Sequence, residues 1–237
     1  MDLTGYKLVF EDDFNGDALD TSVWQYRADG ARRMGFNSGE QVRTAGGKLI
    51  MRSEYKTGRF GEGWYSGMIS LRKAYLRGYF EVRCICSRCI PGGFWSAFWL
   101  QAGHPYEAEY SRGGKGGAEI DIFETFCGDD GKPMLQTNLH CAGMKNTAHP
   151  DGFDSLALSS ECVADACDKM HVYGCEWTED EYRFYRDGVM YARTSFGDGV
   201  SEVAQEVILS LELPDTTSLD RKNVSEFAID YIRIYQK

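Results

Sequence analysis

The chain has 237 residues, 43% of them hydrophobic, and a formal net charge of −10. That length and composition can bury a sizeable core within one domain spanning 1–237, and the acidic balance argues against nucleic acid, whose phosphates need a basic patch. No apolar run approaches the length that crosses a bilayer, so no membrane span is expected. From the amino terminus, short runs rich in Val, Ile, Phe and Tyr read as strands at 8–10, 48–52, 78–86, 119–126, 172–177, 182–186, 206–213 and 227–235. Asp187-Gly188 separates 182–186 from a further run at 189–193 and is a hairpin signal. The best helical stretch is 160–169, and it is weak. The fold class expected is all-β.

The segment Gly117-Ala-Glu-Ile-Asp-Ile-Phe-Glu-Thr-Phe126 places Glu119, Asp121 and Glu124 inside an apolar strand. Burying an unpartnered carboxylate costs several kcal/mol, and a raised pKa on one acid is the usual relief. On a regular strand Glu119 and Asp121 share a face and Glu124 points to the other. A bulge at Ile122-Phe123 restores the parity, so that all three acids meet one cleft. Effective neighbours i and i+4 lie roughly 13 Å apart at Cα on a straight strand. The strand must therefore bend to reach the separation of about 5–5.5 Å that retaining glycoside hydrolysis uses.

The surrounding motifs resemble glycoside hydrolase family 16 along nearly the whole chain. They run from Leu8-Val-Phe-Glu-Asp-Asp-Phe-Asn-Gly16 through Arg77-Gly-Tyr-Phe-Glu-Val-Arg83 and Gly93-Phe-Trp-Ser-Ala-Phe-Trp-Leu100. After the acidic segment come Thr137-Asn-Leu-His140, His171-Val-Tyr-Gly-Cys-Glu-Trp-Thr178 and Ile229-Asp-Tyr-Ile-Arg-Ile-Tyr235. The resemblance implies a concanavalin A-like β-jelly-roll sandwich of two antiparallel sheets, with a concave groove for a polysaccharide. It further implies that Glu119 is the nucleophile, Glu124 the acid and then the base, and Asp121 the residue that orients the pair.

Sugar rings pack their C–H faces on aromatic side chains, and the resemblance places Trp95 in the groove while Trp99, Trp24 and Trp177 are expected in the core. It also sets His140 beside the cleft, bonded to substrate or to Glu124. Asn37, Tyr65 and Arg43, with Glu40, are further groove candidates. No cofactor is expected for catalysis. A structural calcium is implied on the convex face, with Asp230, Glu11 and the carbonyls of Gly46 and Gly47 as donors.

The eight cysteines are read as buried thiols that folding does not need oxidised, with a zinc cluster of Cys84, Cys86, Cys89 and a distant thiol as the alternative. Met1-Asp2-Leu3-Thr4-Gly5-Tyr6 lacks the basic start and apolar core of a secretion signal, which points to the cytoplasm unless a leader has been removed. A monomer is expected. The substrate class implied first is a β-1,3- or mixed-linkage β-glucan cleaved internally. Laminarin-cleaving members usually carry Trp-Pro-Ala-Phe-Trp and a late Ala-Val-Gly-Gly, where this chain has Trp95-Ser-Ala-Phe-Trp99 and Leu209-Ser-Leu-Glu-Leu-Pro-Asp215. An endo-β-galactanase, a transglycosylase and a lectin-like sandwich are the alternatives.

Overall fold

A computed structural model describes residues 1–142, 155–195, 199–215 and 219–237. Its strands are β1 (Lys7–Asp12), β2 (Trp24–Tyr26), β3 (Gly30–Arg32), β4 (Gly35–Asn37), β5 (Val42–Thr44), β6 (Leu49–Gly58), β7 (Gly61–Ser66), β8 (Met68–Leu71) and β9 (Gly78–Ile85). They continue as β10 (Trp95–Gln101), β11 (Glu119–Cys127), β12 (Pro133–His140), β13 (Ser155–Cys162), β14 (His171–Trp177), β15 (Tyr182–Arg186), β16 (Val189–Thr194), β17 (Glu206–Glu212) and β18 (Ser225–Gln236). Among the described residues no helix is long and apolar enough to cross a membrane.

Two sheets form the expected jelly-roll sandwich. One has seven strands in the order β13-β12-β11-β10-β17-β8-β2, and the other has eleven and is centred on β14-β9-β18-β6. Pairing is antiparallel except at β4 and β7, which run parallel. Alternation decides what lies between the sheets. Phe98 and Leu100 of β10, Ile120 of β11 and Val207, Leu209 and Leu211 of β17 turn inward to meet Phe80, Val82, Tyr173 and Ile232. Phe123 packs across the gap, its ring 4.4 Å from that of Tyr173 and edge-on to Phe227. Each such side chain contributes about 1.5–3 kcal/mol by leaving water. Trp24 and Trp177 are fully buried as expected.

The stretch 160–169 is not a helix. Met134 pairs with Cys162 at the end of β13, and the chain then turns, Ala166 N–H bonding the Val163 carbonyl at 3.0 Å. Asp165 is drawn instead to Lys169 and His171. The ladder with β12 outcompetes a weak local preference.

The thiol expectation also needs correcting, because Cys89 and Cys127 form a disulfide with Cα atoms 4.9 Å apart across 38 residues of chain. Cys89 follows β9 and Cys127 ends β11, a meeting that spacing alone could not reveal. The bond removes Cys89 from any zinc cluster. Cys84 and Cys175 are buried thiols, and burial raises both well above the usual thiol range, which makes them inert. Closing a loop of this size typically contributes about 2–4 kcal/mol. Calorimetry with and without reductant is therefore expected to show a melting temperature lower by about 5–15 °C on reduction, and an unchanged one would mean that packing alone holds the loop.

Gly35 marks a close approach. A Cβ there would run into the Trp64 carbonyl oxygen and lie 2.9 Å from the Leu213 side chain. The turn joining β3 to β4 can then lie flat against the end of β17, with Met34 N–H bonded to the Pro214 carbonyl at 3.3 Å. Gly35→Ala is expected to destabilise the protein by about 1–3 kcal/mol through overpacking, read from denaturant unfolding.

Candidate active site

The outward face of the seven-stranded sheet carries the residues that alternate with the core, a mixture of polar, aromatic and small apolar side chains. On β10 these are Trp95, Ala97, Trp99 and Gln101, which pair in register with Glu212, Ser210, Ile208 and Glu206 of β17. On the other side of β10 stands β11, where Gln101 faces Glu119, Trp99 faces Asp121 and Ala97 faces Glu124. Three steps along β11 from Asp121 to Glu124 match two along β12, from Asn138 to Gln136. One extra residue is thus accommodated at Ile122-Phe123, where both side chains are buried in the core. The bulge returns Glu124 to the face of Glu119 and Asp121.

Each carboxylate has its own partners. Trp95 Nε1 donates to Glu124 Oε1 at 3.0 Å and Asn138 Nδ2 donates to Oε2 at 2.8 Å. Burial first, and the Asp121 charge second, push the Glu124 pKa up to about 8 against those two bonds. Asp121 is 3% exposed, contacts His140 Nε2 at 3.0 Å, and is pushed up by burial and by the charges of Glu119 and Glu212. Gln101 Nε2 donates to Glu119. The Tyr106 side chain is more than half exposed, but its phenol is driven above its ordinary range by desolvation within the cleft and by the Glu119 carboxylate beside it. Ligating atoms of Glu119, Asp121 and His140 lie within 4.8 Å of one another. That spacing would suit a cation, but Asp121 and Glu119 are already engaged by His140 and Gln101.

The acids open into a cleft of about 280 Å³ lined also by Trp95, Trp99, Arg27, Arg32, Arg33, Tyr106 and Glu212. Trp95 is half-buried, with its ring stacked on Phe126 at 5.5 Å and the Arg33 guanidinium 5.0 Å away. Trp99 is buried as expected, but in a second apolar cluster with Met68, Ala97 and Ile208 that floors the cleft, and its Nε1 bonds Ser210 Oγ at 3.1 Å. His140 reaches the cluster but touches Asp121, not Glu124.

Four sequence candidates lie elsewhere. Tyr65 is fully buried, donating to the Gly61 carbonyl and accepting from Phe60 N–H, both at 2.8 Å, with its ring against Phe36. Asn37 is buried in the β4–β7 pairing opposite Ser66. Arg43 is exposed and pairs with Glu226 at 3.3 Å, while Glu40 pairs with Lys56. Of the expected calcium donors, Asp230 is paired with Arg83, and Glu11 with Arg233 at 2.6 Å.

Sequence reasoning missed Arg27, Arg32, Arg33, Gln101, Tyr106, Glu206 and Glu212. Most had a signal. Gln101 lies at an even offset from Trp95, Glu206 and Glu212 alternate with the apolar residues of β17, and adjacent arginines stand out in an acidic chain.

The fold is thus a jelly-roll sandwich with a carboxylate trio on the open face of its seven-stranded sheet. The family model for glycosyl hydrolases family 16 matches residues 32–213, and the chain belongs to that family. A glucan endo-1,3-beta-glucosidase A1 of Niallia circulans is 23% identical over 99% of this chain and 38% of its own length. Beta-porphyranase E of Zobellia galactanivorans is 26% identical over 95% of this chain and 85% of its own. The chain thus spans well under half of the first relative. Among solved structures, the laminarinase catalytic domain of Thermotoga maritima superposes with a TM-score of 0.74 at 21% identity, covering 98% of each chain.

Proposed function

We propose that this chain is an endo-acting glycoside hydrolase that cleaves internal β-glycosidic bonds of a polysaccharide with retention of configuration. The observation that carries the reading is the β11 bulge, which brings Glu119, Asp121 and Glu124 to one cleft while burial keeps a proton on Glu124 up to a pH of about 8. Retention needs one ionised and one protonated carboxyl group. Glu119, oriented by Gln101, attacks the anomeric carbon as Glu124 gives its proton to the departing glycosidic oxygen, which forms a glycosyl ester on Glu119. Glu124, now ionised, takes a proton from water as the water oxygen attacks the same carbon and releases Glu119. Asp121, fixed by His140, orients the pair and favours the protonated form of Glu124.

The first substrate reading is a β-1,3- or mixed-linkage β-glucan, in keeping with the names of the Niallia relative and of an endo-1,3-1,4-beta-glycanase of Rhizobium meliloti 27% identical over 74% of this chain. An endo-β-galactanase is the second reading, and the porphyranase likeness favours it. Laminarin, lichenan, agarose, porphyran and mucin-type glycans, read by product mass, separate the two. A transglycosylase would transfer to an added sugar acceptor in preference to water. Proton NMR of the new reducing end is expected to show the β anomer first. An α anomer first would indicate a carboxyl gap of roughly 6.5–9.5 Å and an inverting site, and Glu119 would not be the nucleophile.

A further inference from the structure

Glu212 ends β17 opposite Trp95 and is only 4% exposed, yet it lines the cleft. Its two oxygens have different surroundings. Oε2 receives Arg32 at 2.9 Å and Arg33 at 3.5 Å, and Arg33 continues to Asp215 at 3.2 Å. Among the described residues no donor reaches Oε1, although that atom is shielded from solvent. A buried acceptor without a donor costs about 1–3 kcal/mol, and more on a charged group. Such groups are rare enough in folded proteins that each one calls for an explanation.

The position supplies one. Glu212 is anchored by the arginines through Oε2, stands beside the aromatic wall of Trp95, and is close enough to Asp121 for its charge to be felt there. We propose that the Glu212 carboxylate is a substrate-recognition group: when a sugar is seated against Trp95, a turn about the soft terminal torsion of the side chain carries Oε1 from its shielded place to the cleft, where it accepts a hydrogen bond from a free hydroxyl of that sugar. This rests on the glycan-cleaving reading and narrows its substrate. The sugar at this subsite must present an O–H at that point. A sulfate or carboxylate there offers no proton to Oε1 and sets a negative charge against Glu212, whose arginines are already committed to it and to Asp215. The glycan is therefore unsubstituted at that hydroxyl. A pocket built to bond a hydroxyl discriminates strongly against a ligand without it, because its own polar group is then left unpaired.

Steady-state kinetics of the wild-type protein, Glu212→Ala and Glu212→Gln on whichever of laminarin, lichenan, agarose and porphyran is cleaved test the assignment. Melting temperatures are taken alongside. Glu212→Ala is expected to raise KM about tenfold or more, with kcat changed less than about threefold because the bond forms equally in ground and transition states. Glu212→Gln keeps an amide oxygen of similar reach and is expected to recover part of that KM while losing ion-pair stability like the alanine variant. An unchanged KM in Glu212→Ala overturns the assignment and leaves the hydrolase reading standing. So does a KM that follows melting temperature, with glutamine no better than alanine. If no polysaccharide is cleaved, the hydrolase reading falls, and calorimetric binding of oligosaccharides from the same four glycans reads Glu212 instead. A protein that neither cleaves nor binds any of them overturns both.

Discussion

Glu119→Ala is expected to abolish turnover of polysaccharide, lowering kcat by several orders of magnitude, and azide is expected to restore cleavage of an activated aryl glycoside. The carboxylate is the group that forms the covalent bond, so no neighbour replaces it. Gln101 and Tyr106 flank it but cannot attack an anomeric carbon from the same place. Truncation leaves a space that a small anion fills, and azide entering from the Glu119 side displaces the leaving group once, giving the inverted α-azide. Glu124 remains to protonate the leaving oxygen. Product NMR with and without azide checks the result. A β-azide, or a variant that still cleaves polysaccharide, would remove Glu119 from the nucleophile's role.

The acidic trio was legible because burying carboxylates in an apolar strand demands a reason, and because parity counting required a bulge where the structure has one. Trp95 followed from the motif around it. The misplacements share a cause. Tyr65 and Asn37 sit in short strands whose direction depends on a pairing made across the sequence, β4 with β7. Local pattern gives alternation but not which face is wet. Trp99 is buried as the sequence predicts and also floors the cleft, a role its even offset from Trp95 already implies. The family resemblance sets His140 beside the cleft, but whether its ring reaches Asp121 or Glu124 depends on a diagonal contact across β11 and β12 that register alone does not fix. Arg32 and Arg33 reach Glu212 only because Gly35 lets a hairpin lie against the end of β17. The Cys89–Cys127 pair joins a turn to a strand end 38 residues on, which no spacing rule encodes.

Glu124→Ala is expected to behave unlike Glu119→Ala, and the difference tests the acid–base role. With a poor leaving group the lost proton donor should lower kcat/KM by about 10²–10⁴-fold. An aryl glycoside that departs unaided should form the glycosyl-enzyme nearly as fast as with the intact protein, then stall because nothing activates water. A burst and an accumulating intermediate follow, and azide, which needs no base, should speed the second step to give the retained β-azide. The pH profile carries an independent sign. Glu124 acts in the first step only when protonated, and its pKa is raised to about 8. Wild-type kcat/KM on polysaccharide should therefore hold through neutral pH and fall as the pH rises past about 8, while the variant lacks that limb. Asn138 and Trp95 donate to the carboxylate and favour its ionised form. Asn138→Ala should consequently move the limb to higher pH, and a limb that moves to lower pH or stays in place would show that this bond does not tune the acid.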